Sequence, residues 1–91
     1  MKNIKLSKHA LIRSQQRGIT IDAISIILEY GHRTYLNNGA QSWSMSKQEK
    51  QYAKSDLGKS FFKIEKQLGF LVVANDVLLT VSHQTRRYRK H

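Results

Sequence analysis

The sequence predicts an α+β domain in which N-terminal helices and one inserted helix pack on a four-stranded antiparallel sheet. Three observations predict it: helical apolar stripes over 21–30 and 47–68, an Asn-Gly turn between two short runs, and a second pair of runs, FLVVA and VLLTV, around Asn75-Asp76. Ninety-one residues make one small domain, so residues 1–91 read as a single unit with a basic C-terminal arm over 84–91.

Ser7 can cap a first helix that runs to about Arg17, where Gly18 supplies the permissive backbone that ends it. Leu11 and Ile12 are its expected core face. Thr20 starts a second helix with Ile21, Ile24, Ile27 and Leu28 as a broad apolar stripe, Asp22 near the positive helix end, and Gly31 as its close. HRTYL and AQSWSM then flank Asn38-Gly39. With those two as the turn residues, Thr34 pairs with Trp43 and Tyr35 with Ser42, which places Tyr35 and Trp43 on opposite faces. Trp43 is then core and Tyr35, beside Arg33, is free to contact a ligand.

Ser46 and Glu49 have the spacing of a capping box. Ala53, Leu57, Phe61, Ile64 and Leu68 continue a helical stripe to 68, with a bend or break near Asp56 to Gly58, where Asp56 could recap a second piece. In the last hairpin Leu79 and Val81 share one face while Thr80 and Ser82 take the other.

Sixteen Lys and Arg against six Asp and Glu give a net charge of +10, which favours a phosphate-rich partner or an acidic protein. The absence of cysteine removes disulfides, zinc ribbons, iron–sulfur sites and thiol nucleophiles, and fits a reducing cytoplasm. No run approaches the roughly 20 apolar residues that span a bilayer, so no membrane partner is expected. The four histidines lack a paired metal spacing, the carboxylates are scattered, and no GxxxxGK loop occurs. Neither a metal nor another cofactor is therefore expected.

His9, Arg13 and Arg17 recur at every fourth position and form one slanted stripe on the first helix. The stripe reads either as a solvated face or as an anion site with a titratable member. Thr80 reads either as a strand former or as a site residue, and His83 ends the last strand at the mouth of the arm that holds Arg86, Arg87, Arg89 and Lys90. Arg33, Tyr35, Lys59, Lys63 and Lys66 are candidate RNA contacts outside that centre, the lysines lying off the apolar stripe of the long helix.

HALIRSQQRGI resembles the opening motif H-A-x-x-R-x-x-x-R-G-I of a widespread small bacterial domain of unknown function. LLTVSHQTRRYRK resembles its closing strand and basic tail, and the helix ending EYG before the first hairpin is similar too. That domain is grouped with the fold shared by barnase, colicin D, RelE and BrnT-type toxins, in which helices pack on an antiparallel sheet bearing a metal-independent ribonuclease site. The resemblance implies His9, Arg13, Arg17 and Thr80 as site residues. The turn Asn75-Asp76 departs from the Asp-Gly of many relatives.

The expected function is that of a cytoplasmic endoribonuclease of the toxin type. RNA supplies its own nucleophile, the 2′-OH, so cleavage needs a base, an acid and cations around the phosphate. His9 or His83 would move protons, Arg13, Arg17 and Arg86 would neutralise the phosphate, and Thr80 would orient an oxygen. The alternatives are a non-catalytic RNA- or ribosome-binding module, and a basic face that docks an acidic partner such as an antitoxin.

Overall fold

The computed structural model describes residues 4–82. Its elements run β1 (Lys5–Leu6), α1 (Lys8–Gln16), α2 (Ile21–Tyr30), β2 (His32–Tyr35), β3 (Gln41–Ser44), α3 (Lys47–Leu57), α4 (Lys59–Ile64), β4 (Phe70–Ala74) and β5 (Val77–Ser82). The architecture is α+β as expected, but among the described residues the sheet has five strands in the order β1-β5-β4-β3-β2. The added strand is β1, which pairs parallel to β5 through Lys5 with Val77 and Leu6 with Leu78. Two residues are too few to show a strand period, and only the partner strand makes them one.

Capping side chains fix the helix starts. Ser7 Oγ accepts the Ala10 N–H at 3.0 Å, Thr20 Oγ1 accepts that of Ala23 at 3.3 Å, and Ser46 and Glu49 close a reciprocal box. The long helix expected to 68 is cut at Gly58, whose φ of 60° favours glycine, and a 3-10 turn at Glu65–Gln67 ends the second piece. Asp56 does not recap α4. Its Oδ2 accepts the Tyr30 hydroxyl at 3.0 Å and so ties α3 to α2.

The helices bury one face of the sheet. Ile24, Ile27 and Leu28 of α2, Ala53 of α3 and Phe61 and Ile64 of α4 share a single core with Trp43, Leu71, Val73, Leu78 and Val81, and Leu57 packs half-buried at its margin. A bulge between β4 and β5 sets that face: Val72 pairs with Thr80 but Val73 with Leu78, so Leu79 is the extra residue. Leu79 is therefore exposed instead of sharing the buried face of Val81, while Thr80 still lies opposite Val81. The turn residues Asn75 and Asp76 both have positive φ, the geometry of a two-residue hairpin.

The first hairpin differs from expectation by one residue. Its loop is the three-residue turn Asn37–Gly39, closed by Leu36 N–H donating to Ala40 O at 2.8 Å. Arg33 therefore pairs with Trp43 and Tyr35 with Gln41, and Tyr35 and Trp43 lie on the same face. A one-residue slip exchanges every side chain between the two faces of a strand.

Candidate functional site

The α1 helix begins one residue after β1 and lies against β5. It buries Ala10 and Ser14, with Ser14 Oγ donating to Leu11 O at 2.8 Å, and it leaves Leu11 and Ile12 exposed. The expected core face is thus wrong. Small side chains let this helix approach the strand, and the larger apolar ones are turned away. Arg13 stands only about 60° around the helix from Ala10, at about 100° per residue, and is half-buried, whereas His9 and Arg17 are exposed. The basic stripe borders the packed line instead of opposing it.

Thr80 lies on the neighbouring strand β5, half-buried, on the sheet face that the helices leave open. That face has an ordered composition. Thr34, Ser42, Val72 and Thr80 pair in sequence across β2, β3, β4 and β5, which makes one row of hydroxyl groups interrupted by a valine. His32, Ser44, Phe70 and Ser82 continue the same face at one end of the strands, and none of these eight residues is buried. Ser82 shares the face of Thr80 as expected, whereas Ser42 was not singled out in the sequence. The alternation in HRTY and QSWS was the available signal, and its meaning depended on the register.

Hydroxyls and an imidazole can exchange hydrogen bonds with a sugar–phosphate chain, and the partly exposed Phe70 offers a ring to an unpaired base. Among the described residues no hydrogen bond links Thr80 to His9 or Arg13, so the arrangement is an open surface with no assembled proton relay. His83, Arg86, Arg87, Arg89 and Lys90 lie outside the described residues.

The other candidate contacts are not gathered at this place. Lys59, Lys63 and Lys66 are exposed on α4 and the turn after it, and they form no ion pair with a described residue. Arg33 and Tyr35 sit on β2, three strands from β5 and so roughly 14 Å across the sheet at a spacing of about 4.8 Å per strand. The Arg33 guanidinium lies 5.1 Å from the centre of the Tyr35 ring and 5.7 Å from that of Trp43, held against two aromatic faces. Beside it, His32 Nδ1 meets Glu49 Oε1 at 2.8 Å. The Ser46 backbone N–H, and after it the His32 ring, hold the Glu49 carboxyl below the usual glutamate range.

Among the described residues no group of three metal-ligating side chains converges, and no helix is long and apolar enough to cross a membrane. Compared with models of protein families, with curated proteins and with solved structures, the chain matches none.

Proposed function

We propose that this chain is a metal-independent endoribonuclease of the toxin type, with a RelE/barnase-like arrangement of helices on a sheet. The observation that carries the reading is the placement of the His9-Arg13-Arg17 stripe on a helix packed against β5, whose Thr80 ends a hydroxyl row on an open sheet face. The net charge of +10 supports an RNA partner. In this reading the protein works in the cytoplasm, on free or ribosome-bound RNA, and an acidic antitoxin opposes it. Arg13 and Arg17, with Arg86, would neutralise the phosphate as it gains charge, and His9 or His83 would exchange protons with the 2′-OH and the leaving 5′-oxygen. Lys59, Lys63, Lys66, Arg87, Arg89 and Lys90 would hold the strand outside the reacting centre.

A second reading, RNA or ribosome binding without cleavage, is favoured by one specific observation. Among the described residues neither His9 nor Arg13 has a polar side-chain partner, whereas a working general base is normally oriented by a second group. One experiment separates the two. End-labelled RNA is incubated with the protein in chelator beside the same sequence as DNA. New RNA ends carrying a 2′,3′-cyclic phosphate, with the DNA intact, are the expected result. Stable binding with no new ends selects the second reading.

A further inference from the structure

The two edges of the sheet are finished differently. At one edge β1 pairs with the first two residues of β5, and α1 packs against the same strand. At the other edge, among the described residues, β2 has a partner on one side only, all four of its residues are exposed, and it carries no proline, no lysine and no bulge. Proline, lysine and a bulge are usual devices that blunt an edge strand, and of the remaining ones β2 has only its short length and the charge of Arg33.

The pairing pattern says which groups are on offer. Leu36 N–H bonds to Ala40 O, and hydrogen-bonded pairs alternate along an antiparallel ladder, so Thr34 with Ser42 and His32 with Ser44 are the bonded pairs. Arg33 and Tyr35 therefore direct their N–H and C=O groups to the free edge. Their side chains lie together on the Trp43 side, with the guanidinium already fixed over both rings. The Glu49 carboxylate, which meets the neighbouring His32, also accepts the Ser46 N–H. An incoming acid would thus meet a cation that is positioned and not neutralised by a described residue.

We infer that the β2 edge is a docking site for an extended acidic segment of a partner protein, which adds as an antiparallel sixth strand. Its backbone bonds to Arg33 and Tyr35, and a carboxylate on the residue opposite Arg33 meets the guanidinium. RNA has no backbone that completes a peptide ladder, and a second copy would bring together two chains of net charge +10. The inference goes beyond the RNA reading and needs neither His9 nor Thr80. It gives the acidic partner of that reading a place to bind, and its failure leaves the RNA cleavage assay unaffected.

The test uses the full chain, isotope-labelled for amide NMR, and the acetylated, amidated peptide Thr-Glu-Thr-Glu-Thr. Saturating shifts at the Arg33 and Tyr35 amides are expected. In antiparallel addition the glutamate facing Arg33 directs its own N–H toward β2, so N-methylation of both glutamates should weaken binding at least tenfold, while N-methylation of the threonines leaves it within about twofold. Tyr35→Pro removes an outward donor that the β3 ladder does not use, and it should abolish binding with the helical spectrum retained. The peptide comparison decides the matter even if that variant fails to fold. Equal binding of both N-methylated peptides, shifts confined to the lysines of α3 and α4, β2 shifts that depend only on protein concentration, or β2 shifts with an oligoribonucleotide and none with the peptide would each overturn the inference.

Discussion

His32 Nδ1 and Glu49 Oε1, 2.8 Å apart, join the first residue of β2 to the first turn of α3, and the same Oε1 accepts the Ser46 N–H at 2.8 Å. One carboxylate oxygen thus serves both a helix cap and the sheet edge. Because the folded-state carboxyl is held below the usual glutamate range, its contribution to stability is complete above that range and is lost as pH falls through the folded value. The melting temperature should therefore drop on acidification below about pH 5, starting from the unperturbed glutamate value near 4.3. Glu49→Gln keeps an acceptor for the cap but removes the charge, and a pH series of thermal melts should show a shallower acid slope for it.

Gly31 has no room for a side chain. A methyl group there would stand 2.5 Å from the backbone oxygens of both Ile27 and Ser44, and neither oxygen sits on a flexible group that can swing aside. Gly31→Ala should cost about 1–3 kcal/mol, the range for forced overpacking, in a urea denaturation series. Gly18→Ala provides the contrast. The site is open, so only its positive φ of 67° opposes the change.

Phe61 is 2% exposed and stands where α4 meets the sheet core. Phe61→Ala should destabilise the fold by about 3–5 kcal/mol, the range for removing a buried aromatic ring. Phe62, its exposed neighbour, should tolerate alanine with a change below about 1 kcal/mol. Parallel denaturation curves would separate the two positions, and equal losses would contradict the placement of the core.

The proposed chemistry makes distinct demands on α1. His9→Ala should slow RNA cleavage about 10²–10⁴-fold with little change in affinity, as for a general acid or base. Arg13→Ala should harm both rate and affinity, because a phosphate contact acts in the ground state as well as the transition state. Single-turnover cleavage combined with filter binding reads both quantities. Wild-type rates in both His9→Ala and His83→Ala would remove the acid–base assignment.

RNA affinity should fall steeply between low and moderate salt as condensed counterions compete with the lysines and arginines. Ending the chain after Gln84 should lower that affinity and the salt slope together. Binding measured across a salt series for both forms checks this, and an unchanged slope would place the contacting charges elsewhere.

Local chemistry made most of the helices legible. Ser7, Thr20 and Ser46 start the three main ones, and Gly18, Gly31 and Gly58 mark their ends. What was not legible depended on partners distant in sequence. β1 is too short to read without β5 beside it, and Leu79 becomes a bulge only because β4 fixes the pairing on either side. The one-residue difference between a two- and a three-residue loop exchanged the faces of β2, and with them the roles of Arg33, Thr34 and Tyr35. The α1 site was half legible. The stripe of His9, Arg13 and Arg17 follows from spacing alone, but its border with the core follows from Ala10 and Ser14 lying against a strand from the far end of the chain.

The parallel pairing of Lys5 with Val77 also sets an order of assembly. During synthesis β1 emerges well before its partner β5, and α1 cannot bury Ala10 and Ser14 against that strand until β5 has left the ribosome. The basic stripe on that helix therefore takes up its final position only after β5 has been made and has paired with β1.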